Sequence, residues 1–202
     1  MVKGDLPTIG VLALQGDFAR HLAALERCGA RVVEVRQPHE LQGLDGLVIP
    51  GGESTTLLKL MDAYGFVPAL EKLHAAGRPM FGTCAGLILL AREVENPRQF
   101  SLGFIDVAVE RNAYGRQRES FEVPGIASLD GPTAVEMVFI RAPRIRRVGA
   151  GVETLASHGG EPVLARQGSI LVSSFHPELT DSTAVHGYFC RMVESARERN
   201  GA

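Results

Sequence analysis

Tryptophan is absent and cysteine occurs only as Cys28, Cys84 and Cys190, with no C-x-x-C pair. Such spacing offers neither a disulfide framework nor a redox pair, gives no sign of a metal site, and suits a reducing compartment. Neither sign of charge dominates: 21 Lys and Arg stand against 23 Asp and Glu, for a formal net charge of -2. A nucleic-acid footprint needs clustered basic residues. The one such cluster, Arg141, Arg144, Arg146 and Arg147, reads as a solvated turn. No apolar run reaches the roughly 18 residues that span a bilayer, and Met1–Asp5 opens no signal-peptide core. These absences predict a soluble cytoplasmic protein with no membrane and no nucleic-acid partner. A length of 202 residues with 45% hydrophobic content predicts one domain, residues 1–202, around one substantial core.

What is present is a β-α rhythm. Thr8–Leu14 is a short aliphatic run, followed by Gln15-Gly16-Asp17 and then Phe18, Leu22 and Leu25 at helical spacing. Gly29 closes that helix, Arg31–Val35 alternates like a second strand, and Leu44–Ile49 is a third that ends at Pro50-Gly51-Gly52. Ser54 and Thr55 are expected to cap the next helix, a further helix covers Pro68–Ala76, and Pro79–Gly82 forms a fourth strand. Strands apolar on both faces and alternating with helices imply an α/β fold, a mostly parallel open sheet flanked by helices on both faces. After Pro97 the strands Ile105–Val109, Thr133–Ile140, Gly151–Leu155, Val163–Arg166 and Ser169–Ser174 follow one another with only turns between them, predicting an antiparallel extension. A helix over about Thr183–Glu198 completes the chain.

The chemistry gathers at strand ends, where open α/β sheets place their sites. Cys84 stands between Gly82 and Gly86 where an apolar strand turns into a helix. A thiol there meets unpaired helix amides and reads as a nucleophile, the competing reading being a buried core thiol. His176, directly after the last apolar strand, is the best base among six histidines. Glu178, two residues on, can lie on the same side of an extended backbone and fix the imidazole tautomer. Pro50-Gly51-Gly52-Glu53-Ser54 can turn main-chain N–H groups toward an oxyanion or a phosphate, and the acidic Glu53 in place of a phosphate-loop lysine favours the oxyanion.

Taken together, Pro50–Ser54, Gly82–Gly86 and His176-Pro177-Glu178 resemble the class I (triad) glutamine amidotransferases. Within them, Leu12–Gly16, Glu110–Gln117, Phe139–Pro143 and Phe175–Leu179 look like the glutaminase subunit of pyridoxal 5'-phosphate synthase. The resemblance implies that Cys84 attacks the side-chain amide carbon of L-glutamine, that His176 shuttles protons and that Glu178 orients His176. It also implies an oxyanion site at the backbone N–H groups of Gly52 and Ala85, and a glutamine site built from Gly52, Glu53, Ser54, Arg111, Ile140 and Arg141. A guanidinium at Arg111 suits the α-carboxylate of glutamine; from the residues alone it could equally pair with Glu110 or Glu119. The family works without a cofactor or metal in this step and delivers ammonia to a separate synthase (lyase) subunit within a large hetero-oligomer. Gln15 is a plausible contact with that partner, which the acidic Asp17 could alter. Other readings of the same residues are a glutamine-binding regulator without chemistry, or a cysteine hydrolase or peptidase of similar architecture.

Overall fold

A computed structural model describes residues 6–111 and 120–201. Twelve strands occur among them: β1 Thr8–Leu12, β2 Arg31–Val35, β3 Gly46–Ile49, β4 Met80–Thr83, β5 Ala91–Glu95, β6 Ile105–Glu110, β7 Ser120–Ser128, β8 Pro132–Ile140, β9 Arg144–Val148, β10 Glu153–His158, β11 Glu161–Gln167 and β12 Ile170–Ser173. The helices are α1 Phe18–Arg27, α2 Ser54–Tyr64, α3 Val67–Ala75, α4 Ala85–Leu90 and α5 Ala184–Gly201, with single 3-10 turns at Pro38–Leu41 and Pro177–Leu179.

The main sheet has seven strands in the order β10-β11-β12-β4-β3-β1-β2. Pairing is parallel from β12 through β4, β3 and β1 to β2, and antiparallel where β11 and β10 extend the other edge. The expected antiparallel extension is therefore present, but only part of it joins this sheet. β5, β6 and β9 form a three-stranded sheet in which β5 and β6 run parallel, and β7 with β8 forms a separate hairpin.

Strand alternation explains the two cores. On β3, Leu47 and Ile49 point into a cluster with Leu57 and Met61 of α2, Phe66 just before α3, Leu70 of α3 and Leu87 of α4. Val48 between them points the other way and meets Phe81 of β4, Leu25 of α1, and Phe189 and Val193 of α5. A side-chain period of two thus feeds both faces of each inner strand, and the helices cover both.

Some expectations from sequence shift here. The arginine cluster is not a solvated turn: Arg144, Arg146 and Arg147 lie on β9, whose neighbours bring acids to meet them. Arg146 pairs with Glu110 and with Glu161 at 2.8 Å, and Arg147 with Asp106 at 3.1 Å and Glu93 at 3.2 Å. Charged side chains on an exposed strand face had masked its strand character. Likewise β7, missing from the strands expected after Pro97, pairs with β8 along its whole length. The motif residues Asn112–Gln117 and Glu119 lie outside the described residues. Among the described residues no helix is long and apolar enough to cross a membrane.

Parallel pairing sends β12, β4, β3 and β1 out at one edge. Their ends deliver His176, Cys84, the Pro50–Gly52 turn and Gln15 to the same crevice.

Candidate active site

The corner after β4 is tight. Cys84 adopts φ 48° and ψ -100°, a conformation that costs an L-residue energy and survives only when its surroundings enforce it. They do so through main-chain bonds: Cys84 N–H donates to the Ser173 carbonyl of β12 at 2.9 Å, and the Cys84 carbonyl accepts from Ile88 N–H of α4 at 3.1 Å. The flanking glycines leave no room for a side chain, because a Cβ at Gly86 would strike the Ile49 carbonyl and one at Gly82 would lie 2.6 Å from the Gly86 carbonyl. The thiol is nearly buried, yet it lines a cavity of about 360 Å3.

His176 is held from two directions. Its N–H donates to the Val138 carbonyl of β8 at 2.8 Å, and its ring Nδ1 lies 2.7 Å from Glu178 Oε1. Glu178 does not reach the ring along extended backbone, as the sequence suggested: Pro177–Leu179 forms a 3-10 turn that folds the carboxylate back under the imidazole. The carboxylate is wholly buried. Burial would push it up, but the His21 and His176 rings beside it hold its pKa well below the usual carboxylate range. Burial also works against a charged His176; hydrogen bonds to Cys84 and Glu178, with their charges, overcome it and raise the imidazole to about 10. An imidazolium facing Cys84 is thereby favoured at neutral pH. Gly51 packs against both partners, and a Cβ there would clash with His176 Cε1 and lie 3.2 Å from Cys84 Cβ.

The remaining residues singled out in sequence converge on the same cavity. Its lining includes Gly52, Glu53, Ser54, Arg111, Ile140, Arg141 and Asp17 beside Cys84 and His176. Gly52, at φ 140°, sits so close to the Gln15 amide that any side chain there would collide with it. Gln15 Oε1 accepts from Glu53 N–H at 3.1 Å, so in this chain Gln15 braces the glycine turn. The cap of α2 is Glu53, where sequence suggested Ser54 and Thr55: its carboxylate accepts from Thr55 N–H at 2.9 Å and Thr56 N–H at 2.7 Å. The Thr56 hydroxyl and these amides hold Glu53 down to about 2. Ser54 Oγ instead donates to Gln99 Oε1 at 3.2 Å.

Arg111 turns toward the cavity wall. Its guanidinium donates to Thr55 Oγ1 at 2.9 Å and lies 3.8 Å from Glu53, while Glu110 is taken by Asn96 and Arg146. Arg141 follows β8 at φ 42°, a left-handed backbone for a bulky residue, which turns it into the rim. Ala85, the first residue of α4, has an N–H with no intrahelical acceptor.

The chain that builds this cavity matches known proteins over nearly its whole length. The sequence model of the SNO glutamine amidotransferase family matches residues 11–195. The chain belongs to the SNO glutamine amidotransferase family. Among its relatives, the pyridoxal 5'-phosphate synthase subunit PdxT of Koribacter versatilis is 56% identical over 187 residues, covering 93% of this chain and 96% of that protein. The PdxT subunit of Geobacillus kaustophilus is 52% identical over 193 residues, covering 94% and 96%. A solved structure described as a glutamine amidotransferase superimposes with a TM-score of 0.86 at 50% identity, over 92% of this chain and 98% of that one. A putative GMP synthase component from Thermoplasma acidophilum, 20% identical with a TM-score of 0.74 over 98% of this chain and all of that one, shares the fold.

Two histidines packed behind Glu178 gave no signal in sequence. His21 of α1 and His186 of α5 are both fully buried behind Glu178. Each sits within an ordinary helical pattern, where a histidine reads as any half-polar packing residue. Only the tertiary packing of α1 against α5 shows what they touch.

Proposed function

We propose that this chain, acting as one glutaminase domain in the cytoplasm, hydrolyses L-glutamine to L-glutamate and ammonia and hands the ammonia to a pyridoxal 5'-phosphate synthase subunit. The observation that carries the reading is the series Cys84, His176, Glu178 opening into a cavity that also presents Arg111. Membership of the family and 50–56% identity to PdxT subunits support it.

The steps follow from the geometry. Glutamine enters with its α-carboxylate toward the Arg111 guanidinium, between the Gly52–Ser54 segment and the Ile140–Arg141 rim. Cys84 sulfur adds to the amide carbon, and the carbonyl oxygen takes up negative charge. Backbone N–H groups of Ala85 and Gly52 receive that charge, each donor of this type contributing about 3 kcal/mol to the transition state. His176 gives its proton to the amide nitrogen, the C–N bond breaks, ammonia leaves and a γ-glutamyl thioester remains. His176, now neutral, takes a proton from water; the hydroxide adds to the thioester, and collapse releases glutamate and restores the thiolate. Throughout, Glu178 keeps the Nδ1 proton on the ring and favours its charged form.

Free ammonia is lost to water as ammonium, so hydrolysis serves biosynthesis only beside an acceptor. The relatives are named as a subunit of pyridoxal 5'-phosphate synthase, and another subunit of that synthase would supply the acceptor, in a large complex of both subunits. Glutamine labelled in its amide nitrogen, incubated with this chain and the synthase subunit, yields labelled ammonia, and Cys84→Ala abolishes it. Full turnover by Cys84→Ala, or no ammonia from the unaltered pair, overturns the proposal.

A further inference from the structure

Two imidazoles approach one oxygen of Glu178. Besides His176, His21 brings its Nε2 to 3.4 Å from Glu178 Oε1, while the same Nε2 lies 3.2 Å from Thr83 Oγ1. On the far side, His21 Nδ1 is 3.0 Å from His186 Nε2. The result is a buried line running from α5 through α1 to the carboxylate, and then to His176 and Cys84.

Proton positions on this line follow from what each atom faces. An ionised carboxylate only accepts, so the His21 nitrogen beside it carries hydrogen. His186 Nδ1 finds no hydrogen-bond partner among the described residues. A buried bare nitrogen costs less than a buried N–H left without an acceptor, so His186 holds its proton on Nε2 and donates it to His21 Nδ1. Burial pushes His186 down to about 3 and keeps it neutral. Both rings then point their N–H groups in the same sense, His186 to His21 Nδ1 and His21 Nε2 into the space shared by Thr83 Oγ1 and Glu178 Oε1, and such chains strengthen each link.

We infer that His21 is a positioning residue for the reaction: with His186 behind it, it fixes the Glu178 carboxylate so that Glu178 can hold the His176 ring toward Cys84. The inference rests on the triad reading above. His21 does not line the glutamine cavity, so it acts through Glu178 alone. Glu178 Oε2 has no partner among the described residues, which leaves the two imidazoles on Oε1 to set the carboxylate's rotation. The titratable and charged groups facing this line are Cys84, His176 and Glu178 at the strand ends, His186 of α5, and Arg27 at the end of α1.

The experiment compares His21→Phe, which keeps ring volume without a donor, with His21→Gln, whose amide nitrogen can reach the place of Nε2. Both are assayed with the synthase subunit, and folding is followed by thermal melting. His21→Phe lowers kcat about ten- to a hundred-fold, the range for groups that orient a directly acting side chain. KM for glutamine changes less than about twofold, and the acid limb of kcat/KM moves to higher pH because Glu178, losing a donor, protonates more readily. His21→Gln recovers most of kcat and returns the acid limb. Unchanged kcat and pH profile in His21→Phe overturn the inference, as does a properly folded His21→Gln no better than His21→Phe. If His21→Phe fails to fold, His21→Gln decides alone: near-native kcat and acid limb support the inference, and a fall in kcat with the acid limb unmoved overturns it. An inactive Cys84→Ala beside a fully active His21→Phe defeats only this inference; an active Cys84→Ala defeats the triad reading itself.

Discussion

At the scale of single residues, the two halves of the site divide labour between reactivity and grip. His176 stands near 10 because Cys84 and Glu178 outweigh its burial. In Glu178→Gln the ring loses its carboxylate, so its pKa falls and the alkaline limb of kcat/KM moves down from about 10. Because the imidazolium that protonates the departing amide nitrogen is less populated and the tautomer is no longer fixed, kcat drops roughly 10^2- to 10^4-fold. A pH series of steady-state rates reads both effects. Arg111 tests the other half. Replacing its planar fork by a point charge in Arg111→Lys removes one of two parallel hydrogen bonds to an α-carboxylate. KM for glutamine then rises about tenfold, equivalent to ~1.4 kcal/mol, with kcat held within about twofold. A loss of kcat without a change in KM would place Arg111 outside glutamine binding.

At the scale of elements, the N-terminus of α2 is as much a part of the site as the cysteine corner. Glu53 caps it and faces Arg111, so the helix start and the cationic wall are tied together. Glu53→Gln removes a charged cap worth about 1 kcal/mol and lowers the melting temperature by a few degrees at neutral pH. The sign with pH follows from the depressed pKa: the carboxylate stabilises the fold above its ordinary 4.5 and that contribution is lost as pH falls toward about 2. Melting curves of Glu53→Gln and the unaltered chain converge across that window. The elements also show what sequence could and could not disclose. The parallel strands were legible because each is apolar on both faces, and Cys84, His176 and Glu178 because each stands at the end of such a strand. β9 was hidden because its arginines look solvated until β6 and β11 bring their acids alongside. Glu178's approach was inferred from the wrong backbone, since Pro177 begins a tight turn there. His21 and His186 were invisible because their importance lies in a contact between residues 165 apart in sequence.

At the scale of the whole molecule, the sheet sets one spacing and the loops another. Cys84 and His176 hang from adjacent strands joined by the Cys84 to Ser173 bond, with apolar cores on both faces. The facing wall of the cavity instead comes from the Gly52–Ser54 turn, Arg111 and the end of the β7–β8 hairpin, segments that lie beyond the strands of the main sheet. Low concentrations of urea, well before the main unfolding transition, therefore raise KM before they lower kcat; a simultaneous collapse of both would show that wall and sheet yield as one unit. The hairpin has a double duty in this arrangement, for Val138 steadies His176 while Ile140 and Arg141, next along the chain, line the cavity. A protein that reshaped this hairpin for a different guest would disturb its own proton carrier in the same stroke. New tastes are thus more cheaply acquired at the opposite bank, where Ser54 and Arg111 can vary without tugging on the machinery that breaks the bond.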